Sequence, residues 1–186
     1  MTSDLALFVK QMLRRPLEVA ALAPSSAELA RAMAADVGPD TGRVVEFGAG
    51  TGKITRAILD RGVAPHDLTV FEMNPDFATL LRAAFPGVMV HCAGAQDVAQ
   101  FSLPGVGAVI SGLPLLSMSN ALQHAIVGGA FAVLREGGPY VQFTYGPRPP
   151  VAESVQHALG IHPTRGPKVW GNLPPARVYT FHRHPN

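Results

Sequence analysis

Val45-Glu46-Phe47-Gly48-Ala49-Gly50-Thr51-Gly52-Lys53 decides how the rest of this 186-residue chain is read. The β-branched run from Arg43 to Phe47 predicts a short strand, residues 48–52 a tight turn, and Lys53 to Arg61 a helix closed by Gly62. The alternation continues downstream. Strands are predicted at Leu68 to Glu72, Val88 to His91, Val106 to Ile110, Tyr140 to Tyr145 and Arg177 to His182. Between them, Asn74 and Pro75 start a helix that ends before Pro86, and Ser119 caps one that runs to Leu134. Upstream, Ser25 to Glu28 forms a capping box for a helix reaching about Val37. Strands alternating with helices pack as a mostly parallel sheet covered on both faces, so the fold class is α/β and Rossmann-like. In such sheets a ligand sits beyond the carboxyl ends of the strands, which directs attention to the residues just after each strand.

Composition narrows the function classes. Hydrophobic residues make up 47% and charged residues 15% of the chain, against about 25% charged in an ordinary domain, so a sizeable core is expected and disorder is not. Fifteen basic against 13 acidic side chains leave a net charge of +2, too weak a bias to imply nucleic acid. The lone Cys92 rules out an internal disulfide and a cysteine metal cluster, and the seven histidines show no ligand spacing, so no metal is expected. Residues 98–134 carry no charge but are broken by Pro104, Gly105, Gly107, Gly112 and Pro114, which excludes a membrane span there. The N-terminus does not read as a secretory signal, because Asp4 precedes the apolar residues and the arginines follow them.

Three glycine motifs compete for the turn. A P-loop requires glycine at position 47 and Ser or Thr at 54, where Phe47 and Ile54 stand. The dinucleotide fingerprint requires its third glycine at 53, where Lys53 stands, so that reading is weakened. The sequence Glu46-Phe47-Gly48-Ala49-Gly50-Thr51-Gly52 resembles the first motif of class I S-adenosylmethionine-dependent methyltransferases, E-x-G-x-G-x-G. Glycines there permit close backbone approach to an amino acid and a nucleoside, and Glu46 can lie near the cationic end. Glu72 ends the second strand 20 residues after Gly52, where an acidic side chain accepts from two ribose hydroxyls. At the end of the third strand, Gly94-Ala95-Gln96-Asp97 occupies the adenine position of this superfamily; either Gln96 or Asp97 supplies the hydrogen bond, or the segment is a polar loop feeding a helix.

The loop after the fourth strand, Ser111-Gly112-Leu113-Pro114, lacks the aromatic that a flipped nucleobase needs. It resembles the corresponding segment of bacterial phosphatidylethanolamine N-methyltransferases, relatives of the rRNA adenine dimethyltransferases. Ala23-Pro24-Ser25-Ser26, Phe143-Thr144-Tyr145-Gly146 and Pro174-Pro175-Ala176 extend that likeness in order along the chain. The resemblance implies successive methyl transfers from S-adenosylmethionine to the amine of phosphatidylethanolamine, towards phosphatidylcholine. The alternatives are a methyltransferase acting on rRNA or a soluble small molecule, and a module that binds the cofactor without turnover.

The resemblance also implies site residues. Cofactor contacts are expected at Glu46, Gly48, Ala49, Gly50, Thr51, Gly52, Glu72, Met73, Ala95, Gln96, Ser111, Gly112 and Leu113. Tyr145 is the candidate acceptor for the ammonium proton, its other reading being a packed ring. Residues 1–22 divide from a catalytic domain at 23–186 as an amphipathic helix and linker, with Leu5, Phe8, Val9, Met12 and Leu13 on one face. That stripe either packs on its own domain or lies on an anionic membrane surface, with Lys10, Arg14 and Arg15 towards headgroups and Phe8 towards the acyl boundary. Ser25, Ser26 and Arg148 complete the expected substrate or membrane contacts. A cytoplasmic monomer, peripherally associated with the inner face of the cell membrane and binding no nucleic acid, is expected. Glu72→Ala should weaken S-adenosylmethionine binding at least tenfold in a titration; an unchanged dissociation constant removes Glu72 from the cofactor site.

Overall fold

The computed structural model describes residues 26–103, 105–171 and 175–183, with the Ser26 side chain excepted. The expectations for residues 1–22, for Phe8, Lys10, Arg14, Arg15 and Ser25, and for the Ser26 side chain therefore lie outside the described residues. Seven strands form one sheet: β1 (Val44–Phe47), β2 (Leu68–Phe71), β3 (Met89–His91), β4 (Ala108–Ser111), β5 (Tyr140–Thr144), β6 (Ile161–Val169) and β7 (Ala176–Arg183). Their order across the sheet is β3-β2-β1-β4-β5-β7-β6. The first five are parallel, and β7 runs antiparallel to both β5 and β6.

Among the described residues, five helices cover the sheet: α1 (Ser26–Met33), α2 (Lys53–Asp60), α3 (Pro75–Ala84), α4 (Asn120–Val133) and α5 (Glu153–Leu159). Two apolar clusters record the two faces. Leu29 and Met33 of α1, Ile58 of α2 and Leu81 of α3 pack with Val44, Val70 and Ile110; Ile126 and Val127 of α4 and Val155 of α5 pack with Val45, Phe47 and Val109. The central strands are buried on both sides, as crossover helices require. Asn74 caps α3 as its sequence position predicts, its Oδ1 accepting from the Asp76 and Phe77 amides at 2.8 and 3.3 Å. Ser119 caps α4, accepting from the Leu122 amide at 3.3 Å.

Helix α5 and strand β6 are not anticipated from the sequence, and the segment read as supplying the adenine contact or as a polar loop feeding a helix forms a 3-10 helix at Ala95–Gln100. Strand β6 contains Pro163 and Pro167, residues that break a central strand but are tolerated at the sheet edge that β6 occupies. Val106, expected to begin the fourth strand, forms only an isolated bridge with Leu134. The strand order reverses direction between β1 and β4, and the crevice beyond their carboxyl ends lies at that switch point.

Candidate functional site

Three glycines shape the turn between β1 and α2. Gly48, Gly50 and Gly52 have φ of +67°, +53° and +82°, a region costly for any residue with a Cβ. A Cβ at Gly48 would lie 2.6 Å from Leu113 Cδ2, and one at Gly52 would lie 2.5 Å from Phe85 Cε2. At Gly50 nothing stands within 4 Å, so the turn is packed at both ends and open at its middle. A ligand can approach the backbone there.

Two carboxylates flank this turn in different environments. Glu72, just past β2, is nearly buried; its Oε2 accepts from the Gly50 amide at 2.9 Å and its Oε1 from the Asn74 amide at 2.8 Å. It thereby ties the open centre of the glycine turn to the start of α3. Glu46, on β1, is fully buried. Thr55 Oγ1 in the first turn of α2 donates to its Oε2 at 2.7 Å, while Oε1 has no hydrogen-bond partner. Burial pushes the Glu46 carboxyl up to about 8, against the pull of the Thr55 hydrogen bonds and with a smaller push from the charge of Glu72.

On the other side of Glu72, Met73 is 75% exposed. Beyond β3, Ala95 is buried and Gln96 exposed at the start of the 3-10 helix. Gln96 Nε2 donates to Asp97 Oδ2 at 3.1 Å and Gln100 Nε2 to Asp97 Oδ1 at 3.2 Å, so each Asp97 oxygen already accepts from an amide. Cys92 Sγ lies 3.8 Å from the Met73 carbonyl, which it can meet as a weak donor.

The loop after β4 closes the crevice from the opposite side. The Gly112 amide donates to the Phe47 carbonyl at 2.8 Å, and a Cβ on Gly112 would lie 2.9 Å from the Gly48 carbonyl oxygen. Only glycine permits that approach of two backbones. Ser111 is fully buried, and its Oγ accepts from the Leu113 amide at 3.4 Å.

Two buried glutamines hold this loop, and the sequence reading did not single out either one. Gln142 Nε2 donates to the Leu113 carbonyl at 2.8 Å, and its Oε1 accepts from the Tyr140 hydroxyl at 3.1 Å. Burial keeps the Tyr140 phenol protonated far above the ordinary tyrosine value, with a hydrogen bond from Ser111 opposing the shift. Gln123 Nε2 on α4 donates to the Leu115 and Met118 carbonyls at 2.9 and 3.2 Å, and its Oε1 accepts from the Ala152 amide at 2.8 Å. The available signal was a single amide inside the apolar run Tyr140-Val141-Gln142-Phe143, since a buried amide must have partners.

Tyr145 follows β5 and is half-buried, its ring edge-on to Phe143 with centroids 5.3 Å apart, against the cluster of α1, α2 and α3. Arg148 is exposed in the same loop. Among the described residues, no group of three His, Cys, Asp or Glu side chains is arranged to hold a metal, and no helix is long and apolar enough to cross a membrane.

No protein-family model matches the sequence. The chain is 34% identical over 149 residues to the ornithine lipid N-methyltransferase of Singulisphaera acidiphila, an alignment covering 76% of this chain and 78% of the relative. Its fold is similar to that of a Burkholderia thailandensis 1,6-didemethyltoxoflavin N1-methyltransferase solved with S-adenosylhomocysteine bound: the TM-score is 0.69 at 15% identity, over 99% of this chain and 90% of that one. A TehB-like S-adenosylmethionine-dependent methyltransferase from Corynebacterium glutamicum gives a TM-score of 0.65 at 16% identity, over 95% and 98% of the two chains.

The Glu46 geometry predicts a pH dependence. In the unfolded chain this carboxyl titrates near 4.5, whereas the folded protein keeps its proton up to about 8. Between those values the folded state holds a proton that the unfolded state has lost. Stability from this group therefore falls as pH rises through the window, by at most about 1.4 kcal/mol per pH unit, and levels off above it. Glu46→Gln, which retains an acceptor for Thr55 but does not titrate, should be more stable than the parent at pH 8.5 and nearly equal at pH 4.5. Urea midpoints for the two proteins across that range check it; parallel curves would mean that Glu46 is ionised throughout.

Proposed function

From the chain's membership of the S-adenosylmethionine-dependent methyltransferase family that includes the ornithine lipid N-methyltransferase of Singulisphaera acidiphila, we propose that it methylates the amine of a membrane lipid. The single observation that carries this reading is the 34% identity extending over 78% of a lipid-modifying relative. Phosphatidylethanolamine is the first acceptor proposed, on the likeness of Ser111 to Pro114 and the flanking motifs. Ornithine lipid is the second, because the relative's own acceptor also presents an amine on an acylated headgroup.

The residues present suit S-adenosylmethionine. The backbone at Gly50 is open to close approach, and the unpartnered Glu46 Oε1 calls for a donor of the kind an amino group supplies. Glu72 retains lone pairs for ribose hydroxyls after accepting from two amides. Met73 offers an exposed thioether beside it for packing on the adenine ring, and the adenine hydrogen bond falls to the exposed Gln96 or to Asp97, whose oxygens keep acceptor capacity after each accepting one amide. When bound, the cofactor supplies an electrophilic methyl group on a sulfonium, so the protein's contribution is positioning and desolvation.

The amine must be unprotonated to attack. Its nitrogen forms the new bond to the methyl carbon as the carbon–sulfur bond breaks, and one proton leaves the nitrogen. Tyr145, on the loop after β5, is the proposed group whose phenol oxygen accepts a hydrogen bond from the amine and orients its lone pair, the proton leaving to water. Ser111 to Leu113, held by Gln142, form the wall against which the acceptor is positioned. The same reading puts the protein in the cytoplasm, attached peripherally to the inner face of the cell membrane, with residues 1–22 as one point of attachment.

S-adenosylhomocysteine release should be measured with vesicles of anionic lipid containing phosphatidylethanolamine, ornithine lipid or neither. Release that depends on phosphatidylethanolamine supports the first acceptor, and release with ornithine lipid alone reassigns it. Absence of release with both, cofactor binding being intact, overturns the lipid reading. Tyr145→Phe should lower turnover at least tenfold with the cofactor dissociation constant unchanged; equal kinetics in the variant remove Tyr145 from the reaction.

A further inference from the structure

We propose that the β6–β7 hairpin is a membrane-contacting edge of the protein, with Trp170 seated in the interface of an anionic bilayer and Lys168 and Arg165 at its headgroups. The proposal rests on the lipid-acceptor reading and adds the surface by which the enzyme meets its substrate.

Topology brings the hairpin to the site. Strand β6 is antiparallel to β7, which is antiparallel to β5, so β6 runs in the direction of the five parallel strands. Val169 and Trp170 therefore lie at the end of the sheet where the glycine turn, Glu72 and the Ser111–Leu113 loop lie. Gly171, next to Trp170, lies against the Glu28 carboxylate in the first turn of α1. Leu116, in the acceptor-side loop, is a second large apolar side chain exposed at this end.

The chemistry of the edge selects a lipid surface. Trp170 is 70% exposed, and Lys168 Nζ stands 3.8 Å from the centre of its ring. An indole with an apolar body and one N–H donor is best accommodated where water and acyl chains meet, with a neighbouring lysine reaching the phosphates. Charge points the same way. After Glu153 the chain has no acidic residue, and residues 154–186 carry four Lys or Arg, while the preceding residues carry 11 basic against 13 acidic side chains. Pro163 and Pro167 leave this edge strand two amides short, and proline on an edge strand disfavours pairing with a strand from another protein or a second copy. A lipid surface needs no such pairing.

Trp170 is the only tryptophan in the chain, so intrinsic fluorescence reports on this edge directly. Full-length protein should be titrated with phosphatidylcholine vesicles with and without phosphatidylglycerol, and with brominated acyl chains as quenchers. The expected result is a blue shift and bromolipid quenching that require the anionic lipid and are reversed by about 0.5 M salt. Lys168→Glu and Trp170→Ala should each weaken vesicle partitioning at least fivefold while leaving S-adenosylmethionine affinity unchanged. Emission that stays unshifted while the protein co-sediments with vesicles would put the contact elsewhere and overturn the proposal, as would failure to bind vesicles. Emission already blue-shifted without lipid would overturn it in favour of a protein segment covering Trp170. Methyl transfer to detergent-dispersed phosphatidylethanolamine and ornithine lipid, run in parallel, separates the two claims. Turnover without a tryptophan response overturns the hairpin alone, and a tryptophan response without turnover overturns the acceptor reading alone.

Discussion

Everything at the ligand end of this sheet depends on two backbone turns meeting without side chains between them. The turn after β1 and the loop after β4 approach until the Gly112 amide bonds to the Phe47 carbonyl at 2.8 Å, with no room for a Cβ at Gly112. β1 and β4 are neighbours across which the chain reverses its winding, so their connections leave to opposite faces and a crevice opens between them. Phe85 and Leu113 then pack against the two ends of the glycine turn, and its middle, Gly50, stays open. A side chain at Gly48 or Gly112 would push one wall of the crevice against the other.

The two carboxylates at this turn divide the work because their surroundings differ. Glu72 accepts two backbone amides at the rim, which fixes both oxygens in place while leaving acceptor capacity. Glu46 sits wholly in the core with one oxygen on Thr55 and the other without a partner, an arrangement that burial tolerates best when the acid is protonated. A cationic ligand group brought near would favour its ionisation. The loop after β4 is organised differently, by amides rather than charges. Gln142 and Gln123 each hold loop carbonyls from within the core, which keeps an otherwise apolar loop in one conformation.

Legibility in the sequence followed the range of the interactions involved. The parallel strands, their helices and the Asn74 and Ser119 caps were readable because periodicity and capping act over a few residues. The glycine turn and Glu72 were readable because a strand-turn-helix unit sets their spacing. Strand β6 was hidden by Pro163 and Pro167, which argue against a strand unless its edge position is known. Helix α5 was hidden by its seven-residue length and a start at Glu153 without a side-chain cap. Gln142 looked like one polar residue in an apolar strand, and only the distance from its amide to Leu113, 29 positions away, gives it a role.

The sequence by itself determined the α/β class, the order of the units and the glycine turn, since local backbone preference and hydrophobic period dictate them. It also determined that positive charge collects after Glu153. Only the tertiary structure decided which partners those residues meet: that Glu46 is buried with an unmatched oxygen, that Gln142 braces the loop after β4, and that Trp170 emerges at the carboxyl end of the parallel strands. The physical reason is that burial, hydrogen-bond partners and facing surfaces are set by contacts between residues far apart in the chain, which periodicity does not encode.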